Sequence, residues 1–398
     1  MIMKKVLSTL LAVAMVSTLL VGCGNSAATT TPADSTASGD GSQTFKIGGI
    51  GPLTGGAAVY GIAVKNGAQI AIDEINAAGG INGYQIEYNF QDDECDAEKS
   101  VNAYNTLKDW DMDILMGTVT SGCCVAVAAK TAEDNMFEIT PSGSSVDVLA
   151  GNDNVFQVCF TDPNQGIASA QYIGQKGLAT KVAVIYDSSD VYSTGIYEKF
   201  ASEAPAQGLE IVATEAFTAD NKTDFTTQLQ KAKDAGAELV FLPFYYTEAT
   251  LVLKQADTMG YDPIFFGCDG LDGILAVENF DPALAEGVML LTPFAADATD
   301  DLTKNFVAKY AEIANGEIPN QFAADAYDAI YTIKAAIEKA GVTPDMSVSD
   351  MCTAIKGAMV EISVDGLTGQ AMSWNAEGEV NKAPKAVVIK DGAYVSME

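Results

Sequence analysis

Apolar and polar positions alternate along this chain in two rhythms. Short β-rich runs at residues 45–50, 86–90, 113–117 and 136–140 are separated by stretches of helix length. Within residues 57–78 the spacing predicts a helix with Ile62, Ala68, Ile72 and Ile75 on one face, stopped by Gly79-Gly80. Residues 98–110 and 125–134 fill two more gaps as helices. The rhythm resumes with runs at 181–186, 209–217, 238–244 and 263–267, after a helix at 166–177. Strand and helix alternating at this spacing predict an α/β fold of parallel sheets covered on both faces. The tail differs. Residues 370–379 and 386–396 read as antiparallel additions around turns at 375–378 and at Asp391-Gly392. Two strand–helix sets of similar length predict two lobes. The chain leaves the first near Thr161-Asp162-Pro163 and returns near Thr292-Pro293.

The first 43 residues break the pattern. Lys4-Lys5 precedes an apolar run, Val6 to Val21, that is short for a membrane span and ends in Leu20-Val21-Gly22-Cys23. Small residues before a cysteine at that point resemble the lipobox of bacterial lipoproteins. The resemblance implies lipidation of Cys23 after removal of the leader; an ordinary signal peptide or a single anchor is the alternative. Residues 24–43 are Ser, Thr, Ala, Gly and Asp with little to bury, which reads as a flexible tether. The expected location is extracytoplasmic, on the cell membrane of a bacterium.

Charge narrows the function. The 398 residues carry 53 acidic and 22 basic side chains, a net −31, and every basic one is Lys, with no Arg and no His. Ser-His-Asp and Cys-His catalysis, His-ligated metals and arginine-finger phosphoryl transfer each lack a required part. Nucleic acid is disfavoured as a partner, because its affinity rests on Lys and Arg neutralising phosphates. Other enzyme signatures also fail. Gly49-x-Gly51 has its next glycine at Gly55, one residue too far for a dinucleotide fingerprint, and no Walker loop is present. Ser144 has neither a glycine elbow nor a His base. The acidic run from Asp92 to Glu98 lacks the alternation and central glycine of a calcium loop. The reading is a non-enzyme with no cofactor and no metal.

In parallel sheets, ligands bind beyond the carboxyl ends of the strands. There the first lobe offers residues 118–122, including Ser121, and residues 141–145, including Ser142, Gly143 and Ser144. The second offers Tyr192, Tyr245, Tyr246 and Asp269. Each has an ordinary reading as cap, turn or half-buried packing. Together they suit an α-amino acid. Hydroxyls and helix-start amides would hold its carboxylate, Asp269 its ammonium, and Tyr60, Tyr192 and Tyr245 an apolar side chain.

The order of motifs resembles the branched-chain amino-acid (Leu/Ile/Val) binding proteins of ABC importers. It runs from Ile47-Gly48-Gly49-Ile50-Gly51-Pro52-Leu53-Thr54-Gly55 through Tyr60-Gly61 and Asn66-Gly67-Ala68 to Asp73-Glu74-Ile75-Asn76. Gly79-Gly80-Ile81-Asn82-Gly83, Asp92-Asp93-Glu94-Cys95-Asp96 and Asp162-Pro163-Asn164-Gln165-Gly166 continue it. The resemblance, over residues 45–398, implies a type I periplasmic-binding fold with three crossings between lobes, the third around residues 367–371. It divides the chain into a first lobe of 44–161 plus 293–370 and a second of 162–292 plus 371–398. It further implies Ser121, Ser142, Gly143 and Ser144 at the ligand carboxylate and part of the amine, Asp269 at the amine, and Tyr60, Tyr192 and Tyr245 around the side chain. Asp269 stands where many relatives carry Glu. Some relatives bridge the position of Cys95 to a cysteine after the third strand; here Cys123 or Cys124 is the candidate, against free buried thiols. The implied protein is a monomeric, membrane-tethered lipoprotein that captures a small aliphatic amino acid for the membrane subunits of an importer. A short amide or urea-like solute, or a sensor role, is the alternative.

Overall fold

The computed structural model describes residues 43–397; Cys23 and residues 24–42 of the expected tether lie outside the described residues. The first sheet takes β1 (Thr44–Gly51), β2 (Gln85–Asp92), β3 (Ile114–Gly117), β4 (Glu138–Thr140) and β5 (Val155–Gln157) in the order β2-β1-β3-β4-β5, every pairing parallel. Crossovers run through α1 (Ala58–Ala77), α2 (Ala97–Asp109) and α3 (Ser121–Asp134). Strand β5 has three residues, too few for a period to reveal it in sequence. In α1, Ala68, Ile72 and Ile75 are buried as the spacing predicts, but Ile62 is 43% exposed. At 100° per residue Ile62 falls outside their arc.

The second lobe follows with α4 (Asp162–Lys176), β6 (Lys181–Asp187), α5 (Val191–Glu203), β7 (Glu210–Phe217), α6 (Thr226–Asp234), β8 (Leu239–Leu242), α7 (Tyr246–Thr258), β9 (Ile264–Gly267) and β10 (Met289–Thr292). Helices α3 and α4 each begin four residues before their predicted starts. Their opening turns, at Ser121 and at Asp162, carry polar residues that hide the period. The chain then returns to the first lobe for α8 (Asp301–Ile313), α9 (Gln321–Ala340) and α10 (Val348–Met359). It finishes in the second sheet with β11 (Lys385–Lys390) and β12 (Ala393–Ser396). That sheet runs β12-β11-β10-β9-β8-β6-β7, with β11 and β12 antiparallel as expected.

Both sheets are buried on two faces, which explains their unbroken apolar runs. All four residues of β8 are buried, as are all four of β3. Helix α1 lies close against α9 because Gly67 has no side chain; a Cβ there would fall 1.9 Å from the Ala323 carbonyl oxygen. The third crossing lies later than residues 367–371. Leu367 and Thr368 donate their main-chain N–H groups to Asp328 of α9, both at 2.8 Å. Beyond them, the Trp374 indole donates to the Gln157 carbonyl and the Gln157 N–H to the Gly378 carbonyl. Residues 372–380, folded on themselves through the bridges Val364–Met372 and Trp374–Val380, therefore lie on the β5 edge of the first lobe and form no strand of the second. The passage to β11 comes after Lys382. Among the described residues, no helix is long and apolar enough to cross a membrane.

Candidate ligand-binding site

The carboxyl ends of both sheets face one another across the crossings. In the first lobe, β3 leads into α3, whose cap residue Thr120 makes no side-chain bond to the helix start. The first-turn N–H groups therefore have no side-chain acceptor, and the helix dipole there favours an anion. Ser121 opens this turn, and its hydroxyl accepts from the Ser145 N–H at 3.2 Å. The loop after β4 mostly satisfies itself. The Ser142 hydroxyl donates to the Val119 carbonyl at 2.7 Å, and the Gly143 N–H to Thr140 Oγ1 at 2.8 Å. These two groups, expected on a ligand carboxylate, are engaged in holding the buried loop, because buried backbone groups demand partners. Ser144 differs. It is 1% exposed, and its Oγ has no hydrogen-bond partner among the described residues.

In the second lobe, Tyr192 lies in the first turn of α5, which Asp190 caps. Its hydroxyl donates to Asp269 Oδ1 at 2.6 Å and accepts from the Gly270 N–H at 2.9 Å. A side chain on Gly270 would put its Cβ 2.6 Å from that hydroxyl oxygen, so the bond requires glycine. Asp269 sits in a short 3-10 turn after β9 and is 2% exposed. Burial pushes its carboxyl up to about 7; the bond from Tyr192 and the neighbouring Gln165 side chain oppose the rise, and the Asp325 charge adds to it. Tyr245 stacks on Tyr192 at 5.0 Å between ring centroids and meets the edge of Tyr60 at 5.6 Å. Tyr60 belongs to the first lobe, yet its hydroxyl donates to the Gly270 carbonyl at 2.5 Å and accepts from the Tyr246 N–H at 3.3 Å. The Tyr246 hydroxyl answers by accepting from the Val59 N–H at 3.1 Å. Burial holds the hydroxyls of Tyr60, Tyr192 and Tyr245 well above their usual range, so all three remain neutral donors.

Two residues not singled out as ligand contacts join this group. Asp162 and Gln165 lie one turn apart at the start of α4. The Asp162 N–H donates to the Ser144 carbonyl at 3.0 Å, and the Gln165 side-chain oxygen accepts from the Asp269 N–H at 3.3 Å. Ser144 and Asp269, from opposite lobes, are thereby joined through one buried polar cluster. The signal was present in sequence as Asp162-Pro163-Asn164-Gln165-Gly166, but an acid followed by proline also reads as an ordinary helix start.

Beyond Tyr245 the cluster opens on a cavity of 230 Å³, lined among others by Thr120, Gly122, Asp190, Phe244 and Glu248. Cys95 and Cys123 also line it. The bridge expected from Cys95 is not formed, and all six described cysteines are free. Cys124 is turned away into the loop core, where its sulfur accepts from Thr118 Oγ1 at 2.8 Å. Cys95 donates instead to Thr120 Oγ1 at 3.5 Å.

The profile of the periplasmic binding protein family matches residues 44–393. The chain is 32% identical over 360 residues to Leu/Ile/Val-binding protein homolog 3 of Brucella melitensis biotype 1, covering 88% of this chain and 93% of that protein. Its fold is similar to that of the branched-chain amino-acid transporter substrate-binding protein LivJ of Streptococcus pneumoniae, solved with isoleucine. The TM-score is 0.79 and the identity 29%, over 89% of this chain and all of that one. A solute-binding protein of an ABC transporter from R. palustris, solved with benzoate, shares the fold at a TM-score of 0.79 and 20% identity, over 89% and 95% of the two chains.

Proposed function

The chain belongs to the periplasmic binding protein family, and from that premise we propose that it captures a small aliphatic amino acid outside the cytoplasm for an ABC importer. Its relatives are solute-binding proteins of such transporters, not enzymes. The observation that carries the choice of ligand is the pairing of ends within one buried cluster. At one end, the Ser144 hydroxyl and the uncapped start of α3 suit a carboxylate. At the other, Asp269 is oriented by Tyr192 and suits an ammonium. Tyr60, Tyr192 and Tyr245 wall the space between, and the cavity past Tyr245 gives an apolar side chain room. Benzoate, the ligand of the R. palustris protein, has a carboxylate but no cationic group, and would leave Asp269 buried without a partner.

Capture proceeds by closure of the two lobes over the ligand. Bonds from α1 and the residues just before it to the start of α7 and the turn after β9 already tie one side of the cleft, through Tyr60, Val59 and the Thr247 hydroxyl on the Gly56 carbonyl. A ligand shifts lobe closure only by its greater affinity for the closed form. Micromolar affinity corresponds to about 8 kcal/mol, within reach of two charged ends and an aromatic wall after ordering costs. Lipidation at Cys23 would hold the receptor at the membrane. Calorimetry with the common amino acids, short amides and urea tests the ligand class. Heat with leucine, isoleucine or valine is expected; tight amide binding with no amino-acid heat would reject the assignment.

A further inference from the structure

Asp162 carries a carboxylate that completes no hydrogen bond among the described residues. The residue is 1% exposed, and neither Oδ1 nor Oδ2 has a hydrogen-bond partner among the described residues. The Ser144 hydroxyl lies beside it and opposes the rise of its pKa, yet the two complete no hydrogen bond. Gly195 of α5 packs close against it, where an added Cβ would lie 3.2 Å from Asp162 Oδ2. The charged groups that face it from neighbouring elements are all acids: Asp147 after β4, Asp190 at the cap of α5, and Asp269 after β9. Around Asp269 stand the neutral Tyr192 and Gln165 and a further acid, Asp325 of α9. Lys382, the only buried lysine among the described residues, is committed to Asp325 at 2.8 Å and to Thr368 at 2.5 Å.

Two carboxylates in one dry cluster cannot both ionise unless a cation joins them. We propose that Asp162 and Asp269 together form the seat for the ligand's primary ammonium, that a proton occupies this seat when no ligand is held, and that capture expels the proton. This rests on the amino-acid reading above and makes Asp162 a specificity-determining residue. An ammonium brings three N–H donors and a full charge, enough to serve both acids at once. In the exchange the carboxylic acid gives its proton to the buffer and the ammonium keeps all of its own, so charge balances. Burial raises both acids, Asp269 to about 7, so its share of the proton is held below that pH and is already gone above it.

The experiment is calorimetry of leucine binding to the full chain at pH 7, in buffers of different ionisation enthalpy. The slope of observed heat against buffer enthalpy gives the protons released, and about one is expected. In Asp162→Asn the slope falls to the part held by Asp269 and the leucine Kd rises by about tenfold or more, while the unfolding temperature of the unliganded variant does not drop. 4-Methylpentanoate, leucine without its amino group, separates recognition from mere positioning of Ser144. Its weak binding is unchanged by Asp162→Asn if the acid reads the ammonium. Equal losses for both compounds would show that Asp162 only shapes the loop, and would overturn the proposal. So would a zero slope in the parent protein with leucine bound normally, which leaves the amino-acid reading intact. Failure of every amino acid to bind overturns both.

Discussion

Two buried acid clusters lie between the lobes, and they are built in opposite ways. At the third crossing, Asp325 and Asp328 on α9 are served from within the protein. Lys382 donates to Asp325, while the Leu367 and Thr368 main chains and the Thr368 hydroxyl all serve Asp328. At the ligand cleft, Asp162 and Asp269 share one tyrosine hydroxyl, one weakly placed serine and no cation. Both clusters are equally dry, so burial does not separate them. What separates them is whether the chain supplies the counter-charge. A cluster that carries its own lysine is architecture; one that lacks it is completed by something that arrives.

The contrast is open to direct tests. Lys382→Met should have the largest effect. It strands the buried Asp325 and should lower unfolding free energy by about 3–5 kcal/mol in denaturant titration. A loss below about 1 kcal/mol would erase the distinction between the clusters. Asp269→Asn should do the reverse, costing about 2–5 kcal/mol of amino-acid binding by calorimetry while leaving stability unchanged or improved. Loss of stability without loss of affinity would make Asp269 another piece of architecture. Ser144→Ala should cost about 1.5–3 kcal/mol of binding, the value of a hydrogen bond to a charged group. An unchanged Kd would move the ligand carboxylate wholly onto the main-chain amides of α3.

The pH effect is the gentlest. Asp269 is raised to about 7 in the fold from an ordinary value of about 3.9, so between those limits the folded form holds a proton that the unfolded form has lost. Its contribution to stability is complete below pH 4, declines toward pH 7 and is absent above, at no more than about 1.4 kcal/mol per pH unit. Unfolding curves for the unliganded parent protein should fall more steeply over that range than those of Asp269→Asn. Parallel curves would contradict the buried environment assigned to this acid.

Much of the fold was legible because parallel sheets announce themselves. Runs such as 238–244 and 113–117 are apolar without alternation, and only a strand covered on both faces needs that pattern. The tail was less legible. Residues 370–379 carry hairpin chemistry, but whether that hairpin joins the first lobe or the second depends on Trp374 reaching the Gln157 carbonyl, a contact between positions 217 apart. At the site, residue types at strand ends pointed to Tyr60, Tyr192, Tyr245, Asp269 and Ser144. They could not show that Ser142 and Gly143 turn their polar groups to Val119 and Thr140. The choice between bridged and free Cys95 was equally invisible, because it turns on which way two adjacent cysteines point from one helical turn.

By itself, then, the sequence determined the layered α/β plan, the absence of Arg and His chemistry, and which loops carry polar groups. These follow from periodicity and composition, which are local quantities. The tertiary structure alone decided that Asp162, in sequence an ordinary helix start, would lie beside Ser144 and in one buried cluster with Asp269. The interaction of one acid with another depends on distance and on the exclusion of water, and neither exists until the two sheets have been brought together.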